Sequence, residues 1–171
     1  MIPVIETERL ILREWRESDL DNYAELRGDP VASKFIGVAD RNDAWRSMAY
    51  FTGHWTMRGY GCWMVEEKAS QQGIGYCGPY YPMGWPEPEI AWGLNPRFQH
   101  KGLATEAATA ALAFAYRNLK WTSAISLIAD ENAPSIALAK RLGASPESQT
   151  HYRETPCTVF RHLSPATFLK H

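Results

Sequence analysis

The chain of 171 residues predicts an α+β fold, a mixed central β-sheet of about six or seven strands flanked by helices. Three observations lead there. Apolar residues recur with a period of two in several short stretches and with a period near 3.6 in others. Their order along the chain is strand, two helices, three strands, helix, strand, helix, two strands, a meander followed by β-α-β connectivity. The length suits one domain over residues 1–171, and no repeat, low-complexity tract or linker divides it.

Residues 9–15, rich in Leu and Ile, read as the first strand. Ser18-Asp19-Leu20-Asp21 is a helix start, with a side-chain oxygen for an orphan N–H and acids in the first turn. That helix stops at Gly28-Asp29-Pro30. A second helix is expected from about residue 42 to 57, with Trp45, Met48, Ala49 and Phe51 or Thr52 at helical intervals, and Gly59 ends it. Residues 61–67 and 73–77 read as strands joined by a polar turn. Pro79, Pro82, Pro86 and Pro88 then predict a loop with little regular pairing.

Residues 89–94 form a strand whose alternation puts Glu89, Ala91 and Gly93 on one face and Ile90, Trp92 and Leu94 on the other. The longest helix is expected over residues 105–119, with Ala108, Leu112, Ala115 and Leu119 as its apolar stripe. Residues 123–129 are a strand, and 134–142 a helix capped by Gly143. A hairpin over residues 150–163 closes the chain.

A net charge of −1 gives no general pull toward nucleic acid or membrane, and no run of ~18 apolar residues reads as a membrane helix. Cys62, Cys77 and Cys157 are odd in number and lack C-x-x-C spacing, which suits a reduced, cytoplasmic protein with inert buried thiols. The five histidines form no metal-ligand motif, so no metal is expected. Of the seven tryptophans, most are expected to pack in the core or sheet, while Trp85, on the proline-rich loop, is a candidate for lining a substrate pocket.

The most specific stretch is Asn95-Pro96-Arg97-Phe98-Gln99-His100-Lys101-Gly102-Leu103-Ala104-Thr105-Glu106-Ala107, a strand exit, a basic loop and the first turn of the long helix. Such a junction aims unpaired N–H groups and the positive end of the helix dipole at one spot, a seat for phosphate. Gly102 has no side chain to obstruct a ligand, and Arg97, His100 and Lys101 bring positive charge. Dinucleotide and P-loop glycine motifs are both absent. Glu106, beside the expected diphosphate, should turn its carboxylate away.

Gln99-x-x-Gly102-x-Ala104 resembles the pyrophosphate-gripping signature of the GNAT acyltransferases, and the run from Gly102 to Ala107 is similar to that of their RimJ/RimL-type branch. Residues 7–13 resemble that branch's opening strand and residues 89–96 its fourth strand. Asn132-x-x-Ser135 and Arg141-Leu142-Gly143 resemble its later cofactor-side helix. The blocks stand in the family's order and cover most of the chain.

The resemblance implies a GNAT sheet whose fourth and fifth strands splay, with acetyl-CoA as co-substrate lying in the gap. It assigns cofactor binding to Trp92, Gly93, Leu94, Gln99, His100, Lys101, Gly102, Leu103, Ala104, Thr105, Asn132 and Ser135. The implied reaction is direct attack by a primary amine, either a protein N-terminus or a small molecule. Glu89 is the candidate base, acting through water, though a solvated strand-end carboxylate is an equal reading. Many members carry a Tyr as general acid where this chain has Ala139, and Phe where it has Ala144, so Ser135 is the candidate proton donor. The missing Tyr also admits a non-catalytic acyl-CoA sensor or regulatory module. A homodimer is compatible with the resemblance.

Overall fold

The computed structural model describes residues 1–170. Its elements are β1 (Ile5–Glu6), β2 (Leu10–Arg13), α1 (Leu20–Gly28), α2 (Arg41–Arg58), β3 (Trp63–Glu67), β4 (Gln72–Tyr80) and β5 (Glu89–Leu94). The second half comprises α3 (Leu103–Arg117), β6 (Ile125–Ala129), α4 (Ala133–Arg141), β7 (Ser145–Tyr152), β8 (Thr155–Arg161) and α5 (Pro165–Phe168). All strands join one sheet in the order β1-β2-β3-β4-β5-β6-β8-β7. The eighth strand is the short β1, so the fourth and fifth strands expected from the sequence are β5 and β6.

Every neighbouring pair is antiparallel except β5 and β6. The β4–β5 ladder runs from Gly75↔Leu94 to Tyr80↔Glu89, whereas the parallel β5–β6 ladder is the single pair Glu89↔Ile125. Beyond that pair the two strands diverge, so the sheet opens as a V with Glu89 at its apex.

The core has a layer on each face of the sheet. On one, the Ala107, Ala108, Ala111 and Ala115 side of α3 packs with Leu112 against Leu10, Leu12, Trp63, Val65, Ile74 and Ile90. On the other, Tyr23 and Leu26 of α1 and Ala44, Met48 and Phe51 of α2 cover Met64 and Tyr76. The start of α1 is anchored by a buried ion pair: Arg13 bonds Asp19 at 2.7 Å and Glu66 at 2.6 Å. Leaving either charge unpaired there would be strongly destabilising.

Several expectations need correction. β4 continues through Pro79, which pairs with Ile90, instead of ending at Cys77. The β3 ladder stops at Trp63↔Cys77, so Pro79 lies where β4 has a free edge and a missing N–H is tolerated. β7 starts at Ser145 rather than near Thr150; residues 145–149 are all exposed and, Pro146 apart, polar, and a strand at the sheet edge with no buried face has no alternation to read. β1 and α5 are too short to have left a pattern. Trp45 is 48% exposed and outside the core, whereas Trp55 and Trp63 are buried in it. α3 begins at Leu103 and ends before Leu119.

Candidate active site

After β5 the chain turns sharply. Asn95 Oδ1 accepts from Arg97 N–H at 3.1 Å, and Gln99 Nε2 donates back to the Leu94 carbonyl at 2.9 Å, folding the loop over the strand end. His100 and Gly102 both take left-handed backbone, at φ 60° and 78°. Gly102 is the N-cap of α3 and offers no side-chain acceptor. The first helical bond is Glu106 N–H to Gly102 O at 3.1 Å. The N–H groups of Leu103, Ala104 and Thr105 therefore precede any intrahelical acceptor and are left for a ligand.

Glu106, on the first turn of α3, is tied to the β1–β2 segment. Its carboxylate accepts from Thr7 Oγ1 at 2.6 Å, Arg9 N at 2.8 Å and Arg9 Nε at 2.7 Å. Partial burial pushes this carboxyl up, but the bonds from Thr7 and Arg9 outweigh it and hold it below its usual range. The same arrangement sets Arg9 under the loop, where Nη1 donates to the Lys101 carbonyl at 2.8 Å. A Cβ built on Gly102 would come within 3.4 Å of Arg9 Nη2.

This loop borders a groove of about 1910 Å³. Trp92, Gly93 and Leu94 line it from β5; Gln99, His100, Gly102, Leu103, Ala104 and Thr105 from the loop and α3; Asn132 and Ser135 from α4. Lys101 does not line it: its ammonium lies 5.2 Å from the Phe98 ring centre. The Leu103 side chain is buried in the core, so Leu103 offers its backbone.

Across β5 lies a second cavity of about 380 Å³, which meets the groove at Tyr76, Trp92, Asn132 and Ser135. Trp92 Nε1–H donates to Ser135 Oγ at 3.2 Å, spanning the V from strand to helix. Asn132 caps α4 by accepting from Ser135 N–H at 3.2 Å.

Glu89 borders the inner cavity and is buried, not solvated. The splay explains its position. Leu127 N–H, which a continued β5–β6 ladder would have used, donates instead to Glu89 Oε1 at 3.2 Å. The Ile90 carbonyl is likewise met by the Ser126 hydroxyl at 2.7 Å. Trp85 Nε1–H donates to Glu89 Oε2 at 2.5 Å, so Trp85 lines the inner cavity. Among the described residues no cation pairs with Glu89. Burial raises its pKa to about 8, against the opposing effect of the Trp85 and Leu127 bonds.

Ala139 packs against Ile128, Ala144 and Phe160 and borders neither cavity. The groove side of α4 carries Ser135, Leu138 and Leu142. Ala139 therefore brings no proton donor to the groove. Three residues that sequence reasoning passed over also face the cavities: Arg9, Arg27 and Tyr76. Tyr76 is paired with Gly93, and its ring occupies the space a Cβ there would need. Burial pushes its phenol well up. Only the strand register could have revealed that contact.

The chain matches the family model for the acetyltransferase (GNAT) domain over residues 9–145. It is 30% identical over 141 residues to YnaD of Bacillus subtilis (strain 168), an uncharacterized N-acetyltransferase, covering 81% of each chain. An acetyltransferase crystal structure from Agrobacterium tumefaciens str. C58 superposes with a TM-score of 0.87 at 26% identity, over 96% of both chains. RimL, a ribosomal L7/L12 α-N-protein acetyltransferase solved with coenzyme A, superposes with a TM-score of 0.75, covering 96% of this chain and 99% of that one. At 16% identity that last likeness is one of fold. The chain belongs to the GNAT acetyltransferase family.

Proposed function

We propose that the protein is an acetyl-CoA-dependent N-acetyltransferase, with acetyl-CoA in the groove and a primary amine entering from the inner cavity. The observation that carries this reading is the meeting of the two cavities at Trp92 and Ser135, with a buried carboxylate, Glu89, on the inner side. A module that merely held acyl-CoA would have no use for that carboxylate.

The groove suits the cofactor. The N–H groups at the start of α3 and the guanidinium of Arg9 face the place for a diphosphate. Beyond Glu89, β5 has no β6 partner, which leaves Trp92 to Leu94 free to bond the pantetheine amides. Acetyl-CoA supplies the acetyl group as a thioester.

Glu89 takes the proton of the incoming amine through water. A carboxylate near pKa 8 is a stronger base than one at 4.5 and lies closer to an amine of ~10. Ser135 Oγ accepts from Trp92, which leaves its own O–H to donate to the departing thiolate. A thiol of pKa ~8.5 asks little of that donor.

The test is release of free CoA thiol from acetyl-CoA over a panel of amines. Acceptor-dependent release is expected, and Glu89→Gln should lower the rate while acetyl-CoA still binds. Unchanged turnover in Glu89→Gln would remove the base assignment.

A further inference from the structure

We infer that the amine acceptor is a small amino carboxylate with an apolar or aromatic side chain, its carboxylate held by Arg27 in the inner cavity. This rests on the transferase reading above and names its substrate class.

Size is the first argument. At about 380 Å³ the inner cavity is at the low end of small-molecule sites, enough for one amino-acid-sized ligand and not for several residues of a polypeptide. Its walls suit an apolar side chain. Tyr80, Trp85 and Tyr152 stack edge to face at 5.2 Å centre to centre, and Phe51 adds a further ring.

Charge is the second argument. The cavity is bordered by two cations, Arg27 and Arg153, and by one carboxylate, Glu89. A polyamine would meet net repulsion there, while a carboxylate would meet attraction.

Arg27 itself is the third. Nη1 reaches Ser47 Oγ at 3.2 Å and Tyr23 Oη at 3.5 Å, and Nη2 reaches the Gly37 carbonyl at 3.0 Å. All these partners are neutral. Among the described residues the buried Nε has no partner, and no carboxylate lies within 4.0 Å of the guanidinium. The buried Arg13 and the partly buried Arg161, by contrast, each hold two carboxylates. Three of the five donors of this half-buried guanidinium go to neutral partners and no anion offsets its charge, which makes it an incomplete site. An α-carboxylate completes it and leaves the amine on the same carbon in the cavity that Glu89 and Ser135 also border.

The chemistry balances. The amine nitrogen forms the new bond to the acetyl carbon and that carbon's bond to sulfur breaks. The ammonium gives up its first proton through Glu89 and water to solvent; after attack the nitrogen's second proton restores the one that Ser135 passes to sulfur, giving an N-acetyl amino acid, the free thiol and one released proton.

The test compares L-phenylalanine with phenylalaninamide, which mimics a peptide N-terminus, and with phenethylamine and spermidine, by thiol release. L-Phenylalanine binding to the CoA-loaded protein is followed by calorimetry in parallel. The acid should exceed its amide in kcat/KM by about tenfold or more, the worth of one charge-assisted hydrogen-bonded pair. Arg27→Gln should erase that ratio, mainly through KM, and Arg27→Lys should keep part of it. The ratio is taken within each variant, so a partly unfolded sample does not mimic the effect. A preference for the amide, phenethylamine or spermidine, or an unchanged ratio in Arg27→Gln, overturns the inference and leaves acetyl transfer standing. Turnover of no amine, with L-phenylalanine still bound in an Arg27-dependent way, overturns the transferase reading and leaves the carboxylate site in place.

Discussion

Glu89→Gln should separate stability from rate, because the carboxyl proposed as base is held in a place that opposes its charge. Its native pKa of about 8 lies above the ordinary 4.5. The favourable burial of the neutral acid is thus fully present below pH 4.5 and is lost as pH rises through 8. At about 1.36 kcal/mol for each pH unit crossed, the loss amounts to about 3 kcal/mol by pH 7 and about 5 kcal/mol above pH 8.

Glutamine cannot ionise, so the variant escapes that loss. It brings a constant penalty of its own, since its NH₂ must face one of two donors, Trp85 Nε1–H or Leu127 N–H, at roughly 1–3 kcal/mol. The pH dependence of the difference between wild type and variant cancels that constant. Urea unfolding at pH 5, 7 and 8.5 should show Glu89→Gln gaining on wild type by several kcal/mol across the series, while its kcat/KM falls furthest below wild type at pH 8.5, where the wild-type carboxyl is ionised. Curves that stay parallel would refute the burial argument and, with it, the reason for treating Glu89 as an unusually strong carboxylate base.

Three further outcomes follow from the geometry. Gly75→Ala would put a Cβ 2.1 Å from the Gly93 carbonyl oxygen and 2.8 Å from Leu94 Cα, so it should destabilise by about 3 kcal/mol or more and weaken acetyl-CoA binding by displacing β5, read by thermal melts and calorimetry. Gly102→Glu places a charge in the diphosphate seat and a side chain at φ 78°, and calorimetry should find acetyl-CoA binding abolished; retained binding would remove the loop from the cofactor site. Ser135→Ala removes the acceptor of Trp92 Nε1–H and the proposed donor to the thiolate, so kcat should fall while acetyl-CoA affinity changes little; an unchanged kcat would pass the proton delivery to solvent.

Features decided by neighbours along the chain are legible in the sequence alone. The glycine at the head of a long Ala-rich helix and the strand over residues 89–94 both depend on contacts within a few residues, and each is found where the sequence puts it. The partners that hold Glu106, Thr7 and Arg9, lie about a hundred positions away and are not legible from its neighbours. The expectations that failed were those in which a remote strand overrides local propensity. Pro79 is tolerated in β4 by the end of the β3 ladder, and the polar β7 is a strand because β8 pairs with it.

The site divides along the same line. A phosphate seat is made of consecutive backbone N–H groups, so its residues are adjacent in sequence and their pattern announces it. The proposed proton acceptor, acceptor pocket and cation are not adjacent. Glu89 owes its burial to Leu127 and Trp85, Tyr76 its place to the register with Gly93, and Arg27 its lack of an anion to the packing of α1 on α2. Desolvation and charge pairing depend on which distant segments come together, and that is set by tertiary packing alone.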